Sequence, residues 1–427
     1  MKKYWYLVFL VVAALVLSAC GNNDDDDNEP MQIYRPYIPA PTPRPVLGTP
    51  IVGFTPDARA DVVVELWHAS IGAARAGMTQ LIEAFHEYQF YVRVHEVVFN
   101  SRAALEASLL QAERQGNLPH IAAVSPSEIT YFRFMQALLP LDTFMDDPHV
   151  GLHADELADI LPVFQGAALF AEVWYGLPFA KDVPVLYYNR AYFADRAVPA
   201  TWAALTSEAQ QVGLGINLAS DILWATLLLQ HGGDYFDYAE GAVAFASEEG
   251  VAAMEIVAAL MALAVTDDEN GTPGLVIGRS LHPPTGDWGS TVLPGVDGNH
   301  ATEFLGESLV LFENVRHSVD ARVGAWEFLR FTLQPEPAAT WAIMSGSLPV
   351  THSAQFLPRY RAHLIHNPQT RAGEASLDNG FWRTRHGHHY RILLPLREEI
   401  NAILAGTVSA EAGLERAAER ANEALAQ

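Results

Sequence analysis

Asp61-Val62-Val63-Val64-Glu65-Leu66-Trp67 is a β-branched, apolar run of the kind that forms a buried strand, and its place at the head of an alternating pattern decides the fold. A loop holding Gly72 and Gly77 leads into residues 78–88, where Met78, Leu81, Ile82 and Phe85 recur at helical spacing. Residues 91–98 read as a second strand, 101–115 as a second helix with Ser101 as its N-cap, and 120–124 as a third strand. Strand, helix, strand, helix, strand implies parallel pairing through crossover helices, and so an α/β fold class.

Outward from this unit, loop signals surround Pro140, Pro148 and Pro162, and residues 174–189 begin a new extended element. From 207 the pattern turns helical, with an apolar stretch at 221–230 and an alanine-rich amphipathic face at 247–263. A strand-rich patch occupies 288–312, and amphipathic helices are expected over 321–333 and 397–426. No internal repeat of fixed period is present. The stretch 61–427 exceeds what one hydrophobic core usually supports, so two lobes are expected. Half of the residues are apolar, ample for burial, and the formal charge of −24 repels phosphate backbones and argues against a nucleic-acid partner.

At the amino end, Lys2 and Lys3 precede an apolar stretch over 4–17 that is too short for a membrane span. The ending Leu17-Ser18-Ala19-Cys20 resembles the lipobox of bacterial lipoproteins. That resemblance implies removal of residues 1–19 as a signal peptide and lipidation of Cys20. Cys20 is the only cysteine, which leaves no disulfide framework and no cysteine metal site. Residues 20–60, with Asp24 to Asp27 and prolines from Pro30 to Pro45, read as an acidic, extended tether with a reach of about 100 Å. Lys2, Lys3 and Lys181 are the only lysines, so a processed chain keeps Lys181 alone.

Six segments carry a family likeness. They are Val64-Glu65-Leu66-Trp67-His68; Gln115-Gly116-Asn117-Leu118-Pro119-His120-Ile121; Leu138-Leu139-Pro140-Leu141-Asp142; Tyr175-Gly176-Leu177-Pro178-Phe179 running into Pro184-Val185-Leu186-Tyr187-Tyr188-Asn189; Pro199-Ala200-Thr201-Trp202; and Ser345-Gly346-Ser347-Leu348-Pro349-Val350. In this order they resemble the family 1 extracellular solute-binding proteins, the sugar-capturing components of ABC importers, over nearly all of 61–427.

The resemblance implies a two-lobed, type II periplasmic-binding-protein-like fold, with mixed sheets flanked by helices and the ligand in a cleft between the lobes. Lobe 1 is expected over 61–180 and 306–335, and lobe 2 over 181–305 and 336–427. The chain crosses near 179–186, returns after Gly306 and crosses again near 334–338. The implied function is capture of a carbohydrate or related polyol and delivery to the transmembrane subunits of an ABC permease. The implied protein is a monomer without a cofactor, held by its lipid on the extracellular or periplasmic side of the cell membrane. A glycerol-phosphate or other organophosphate ligand is the alternative. A cell-surface carbohydrate-active enzyme is the alternative from another class, and it requires paired carboxylates facing one cleft.

Position along the strands marks several candidate ligand contacts. Trp67 and His68 end the first strand, where loops face the crevice of an open α/β sheet, although a tryptophan there serves equally as core. Lys181 and Asp182 lie in the expected hinge strand, and Asp182 is the candidate contact. Tyr187 and Tyr188 are adjacent in a strand, so only one ring reaches the cleft, and Tyr187 is the candidate. Trp224 is a further candidate platform against a core role.

By resemblance, Gly306 brings backbone close to ligand, Ser347 lies in a contact loop, and Arg391 matches an arginine that the glycerol 3-phosphate-binding branch uses. Arg102 stands where that branch has a tyrosine, Ser125-Pro126-Ser127 where it has a glutamate, Asp182 where it has a serine and Ser347 where it has a second tyrosine. The stretch 264–287 is also shorter than in the family. The run Arg385-His386-Gly387-His388-His389 does not match a compact zinc spacing, and no metal is expected. No phosphate-cradling glycine loop, His-Glu-x-x-His or Gly-x-Ser-x-Gly elbow occurs, so no catalytic set is assigned.

Overall fold

The computed structural model describes residues 62–265, 272–383 and 389–426. The expected signal peptide, Cys20 and the tether lie outside the described residues, as do Arg385 to His388 and part of the shortened stretch, residues 266–271.

The opening unit folds as its periodicity requires. Strand β1 (Val62–His68) pairs in parallel with β2 (Val92–Val98) on one side and β3 (Ile121–Val124) on the other. Helix α1 (Gly72–Tyr88) connects the first pair and buries Met78, Leu81, Ile82 and Phe85, the four residues at helical spacing. Helix α2 (Arg102–Gln115) begins at Ser101, whose side chain accepts the Ala104 N–H, and ends at Gly116 in the left-handed conformation with φ 64°. Helix α3 (Pro126–Phe134) follows β3 and opens with a capping box between Ser125 and Glu128.

Strand β4 (Leu177–Asp182) closes the first sheet and β5 (Pro184–Asn189) opens the second, with Val183 as the single residue between them. Val183 is fully buried, and both its backbone groups are held by Ser280: N–H to Oγ at 3.3 Å and C=O to N–H at 2.8 Å. The second sheet continues with β6 (Leu214–Asn217), β7 (Leu275–Arg279) and β8 (Trp288–Thr291), in the spatial order β8-β5-β7-β6. Strand β7 lies inside the shortened stretch, so that stretch retains a central strand. The chain then returns through a short ladder, Thr302–Glu303 beside Gly380–Phe381, into β9 (Leu305–Leu311). β9 runs antiparallel between β3 and β4 and completes the order β2-β1-β3-β9-β4.

The first sheet carries a core on each face, and the second sheet buries another against its helices. Helices α4 (Trp202–Val212), α5 (Ser220–Gln230) and α6 (Glu248–Leu263) cover the second sheet and bury Leu205, Trp224, Leu228 and Met254. Helix α7 (Val319–Thr332) packs on β1 and inserts Trp326 and Phe328 into the first core. Within the stretch expected to complete the second lobe, α8 (Pro335–Ser345) packs instead on α1 of the first: Trp341 stacks on Phe179 at 4.3 Å, and Gly77 admits Met344 where a Cβ would collide. Leu161 N–H also reaches the Val350 carbonyl at 2.9 Å. The second lobe takes α9 (His389–Leu404) and α10 (Ala410–Leu425). Ile392, Leu396, Ile400 and Ile403 follow the helical repeat into its core.

Candidate functional site: the groove between the two sheets

Strand direction determines which ends of the sheets face each other. The carboxyl ends of β1, β2 and β3, the start of β9 and the end of β4 share one edge, because Ser308 pairs with Val124 and Gly306 with Lys181. The second sheet presents the carboxyl ends of β6 and β7 and the start of β5, since Arg279 pairs with Pro184. The first turn of α5 comes directly after β6. Ligands bind outside such strand ends in open α/β sheets and between lobes.

On the first edge His68 is fully buried, with Nε2 2.9 Å from Glu96 Oε1 and Nδ1 accepting the Ser70 N–H at 3.1 Å. The Ser70 bond fixes the proton of the neutral ring on Nε2, which donates to Glu96. Burial lowers the His68 pKa more than Glu96 raises it. Arg102, in the first turn of α2, donates to the Ala123 carbonyl at 2.6 Å and to Glu307 Oε1 at 2.9 Å, and its other nitrogen lies against Glu128. Glu128 in turn accepts the Ser125 N–H at 2.7 Å.

At the junction Asp182 is fully buried and receives a two-pronged bond from Arg279, 2.7 Å at each carboxylate oxygen. Tyr187 braces this pair from behind, its hydroxyl donating to the Arg279 carbonyl at 2.9 Å. Gly306 has φ +108°, and a Cβ there would overlap the Ala180 carbonyl, so only glycine lets β9 approach β4 this closely. Ser347 is buried beside the same strand. Its hydroxyl lies 2.8 Å from Ser345 Oγ, and the next N–H, of Leu348, reaches the Lys181 carbonyl at 2.7 Å.

Lys181 is fully buried. Its ammonium donates to Ser308 Oγ at 3.0 Å and sits 4.9 Å from the centre of the Trp382 ring. Burial pushes its pKa down to about 7, against the opposing pull of Glu307 and Asp182. The unfolded chain therefore holds this proton more tightly than the folded one between about pH 7 and the ordinary lysine value, and Lys181's penalty on stability shrinks as pH rises through that window. The expected result is that Lys181→Met gains stability relative to the parent at pH 7 and loses the advantage by pH 10, read by urea unfolding across that range. A pH-independent difference contradicts it.

The second edge carries another buried network. Arg383 donates to Asp221 Oδ2 at 2.7 Å and also contacts Glu303, and Arg397 lies 3.2 Å from Asp221 Oδ1. Burial raises Glu303 to about 7 despite Arg383.

The candidates therefore separate. His68, Arg102, Asp182 and Gly306 lie at the neighbouring strand ends of the first sheet, with Tyr187 and Ser347 beside the junction. Trp67 ends β1 but bonds Glu65 at 2.6 Å and packs on Phe99 at 5.1 Å. Trp224 is fully buried in the second core and donates to the Gly250 carbonyl at 3.0 Å. Arg391 is exposed on the outer side of α9 and bonds the Ala424 carbonyl at 2.9 Å. Glu96, Glu128, Arg279, Glu307, Asp221 and Arg383 were not anticipated. The spacing Ser125-x-x-Glu128 is a readable capping-box signal, and Arg279 ends the apolar run Leu275-Val276-Ile277.

Residues 69–339 match the bacterial extracellular solute-binding protein family. The sn-glycerol-3-phosphate-binding periplasmic protein UgpB of Salmonella paratyphi A is 22% identical over 419 residues, covering 88% of this chain and 95% of that protein. Its Escherichia coli K12 counterpart is 24% identical over 427 residues, covering 89% and 95%. Among solved structures, the cyclic alpha-maltosyl-1,6-maltose binding protein from Arthrobacter globiformis superposes with a TM-score of 0.72 at 21% identity, covering 86% of this chain and 99% of that one. UgpB from Mycobacterium tuberculosis in complex with glycerophosphocholine also gives 0.72, at 17% identity, covering 85% and 98%. These superpositions show the shared two-lobed fold. The chain belongs to the bacterial extracellular solute-binding proteins.

Proposed function

We propose that this bacterial extracellular solute-binding protein captures an uncharged carbohydrate or related polyol in the groove between its lobes and delivers it to the permease of an ABC importer. It acts as a monomer without catalysis, held at the outer face of the membrane by a lipid on Cys20. Among the described residues no helix is long and apolar enough to cross a membrane.

The observation that carries this reading is charge compensation along the groove. Arg102, Arg279, Arg383 and Arg397 each already face carboxylates: Glu307 and Glu128, Asp182, Asp221 with Glu303, and Asp221. A phosphate arriving there would compete with carboxylates for those guanidinium groups. Sugar hydroxyls need only the donors and acceptors left on fixed, planar ion pairs.

The second reading is a glycerol-phosphate ligand, favoured by the UgpB likeness over most of the chain. Arg391, the arginine that reading depended on, points instead to the end of α10.

A thermal-shift screen of neutral mono-, di- and oligosaccharides against glycerol 3-phosphate and glycerophosphocholine tests the choice. A ligand at 100 times its Kd stabilises by about 2.7 kcal/mol. A saccharide is expected to raise the melting temperature and the two phosphates to leave it unchanged. Stabilisation by the phosphates alone, or hydrolysis of the saccharide, contradicts the proposal.

A further inference from the structure

Tyr390 stands in the first turn of α9, two residues before Ile392, which is fully buried in the second core. Its ring nevertheless reaches the first lobe. The phenol donates to Glu106 Oε1 at 2.7 Å, and the ring meets Tyr131 nearly edge-on, centroids 5.9 Å apart at 81°. Glu106 lies one helical turn beyond Arg102 on α2, and Tyr131 lies three residues beyond Glu128 on α3. Both partners of Tyr390 are thus carried by the two helices whose starts hold the Arg102–Glu128 pair in the groove. The neighbouring cores keep each side in place: Leu105 and Leu109 are buried in the first lobe on one side, Ile392 and Leu396 in the second on the other.

We propose that Tyr390 is a closure latch, a positioning residue that sets ligand affinity by biasing the lobes toward contact without itself touching the ligand. A bond made only with the lobes together shifts the open-to-closed ratio by its whole free energy. A hydrogen bond to an ionised carboxylate corresponds to a change on the order of tenfold or more in that ratio. The bias reaches the groove directly, because the latch and the Arg102 pair share α2 and α3.

The inference rests on capture by lobe closure, and its test needs no ligand, so it fails or holds independently of the saccharide assignment. In the full chain with Cys20→Ser, spin labels at Arg114→Cys and Glu255→Cys, both exposed and one in each lobe, report the interlobe distance by double electron–electron resonance. The unliganded parent is expected to populate a short-distance state. Tyr390→Phe keeps the ring against Tyr131 and Glu106→Ala keeps a good helix former, so both variants fold, which the melting temperature checks. Each is expected to lower the short-to-long ratio on the order of tenfold, and the double variant to go no further. A parent without the short distance, unchanged distributions in the variants, or additive effects in the double variant overturn the latch.

Discussion

Arg279→Ala is expected to cost about 3–5 kcal/mol of unfolding free energy, because it leaves the Asp182 carboxylate buried and unpaired. Asp182 is fully enclosed at the end of β4, whereas Arg279 remains one-third exposed at the end of β7. The pair therefore does not act as a surface ion pair. Arg279 supplies one hydrogen bond to each carboxylate oxygen, 2.7 Å in both cases, across the single-residue link between the lobes. Losing the arginine leaves a desolvated anion beside the Tyr187 ring and the Val183 link. Arg279→Lys restores the charge but not the two-pronged geometry, and is expected to recover only part of the loss. Urea unfolding of the three proteins checks the order. Equal stability of Arg279→Ala and the parent contradicts the role assigned to the pair.

Arg383→Ala is the second large effect, expected at about 3–5 kcal/mol near neutral pH. The guanidinium is nearly enclosed and lies between two nearly enclosed carboxylates, Asp221 and Glu303, of which only Asp221 keeps another arginine, Arg397. The pH dependence has a definite sign. Burial already raises Glu303 to about 7 in the presence of Arg383. A carboxyl whose folded pKa lies above its unfolded value binds the proton more tightly when folded, so its contribution to stability falls as pH rises from about 4.5 to about 7. Without Arg383 the folded value lies higher still, so the fall continues above pH 7. Asp221, held below the usual carboxylate range by Arg383 and Arg397 against its own burial, loses part of its advantage as well. The deficit of Arg383→Ala is thus expected to be larger at pH 9 than at pH 6, measured by chemical denaturation at both. A deficit that is the same at the two pH values contradicts this account of Glu303.

The first sheet was readable in the sequence because its strands and helices are local and periodic: Met78, Leu81, Ile82 and Phe85 bury as spaced, and Ser101 caps as expected. The crossing at Val183 and the return at β9 came from family likeness, since strand pairing over more than 100 residues leaves no local trace. The separation of 127 positions from Lys181 to Ser308 is an example.

The groove was only half legible. His68 and Asp182 end apolar strands and could be placed by that position. The partners that hydrogen-bond to them, Glu96 and Arg279, come from other strands and are fixed by register alone. Trp224 was misleading for a physical reason: on an almost wholly apolar helix any face can be the core face, and α5 buries it. Helix α8 shows the same limit: its alanine-rich surface does not specify a partner, and in the fold it packs on α1 of the first lobe.

The central claim is that this groove holds an uncharged polyhydroxylated ligand. Titration calorimetry of the unliganded protein, at low and at high salt, against the stabilising saccharide and against glycerol 3-phosphate tests it most directly. The account predicts one saccharide bound per chain with an affinity that hardly changes with ionic strength, and no heat from glycerol 3-phosphate. Saturable binding of glycerol 3-phosphate that weakens as salt is added, with no saccharide bound, would contradict it.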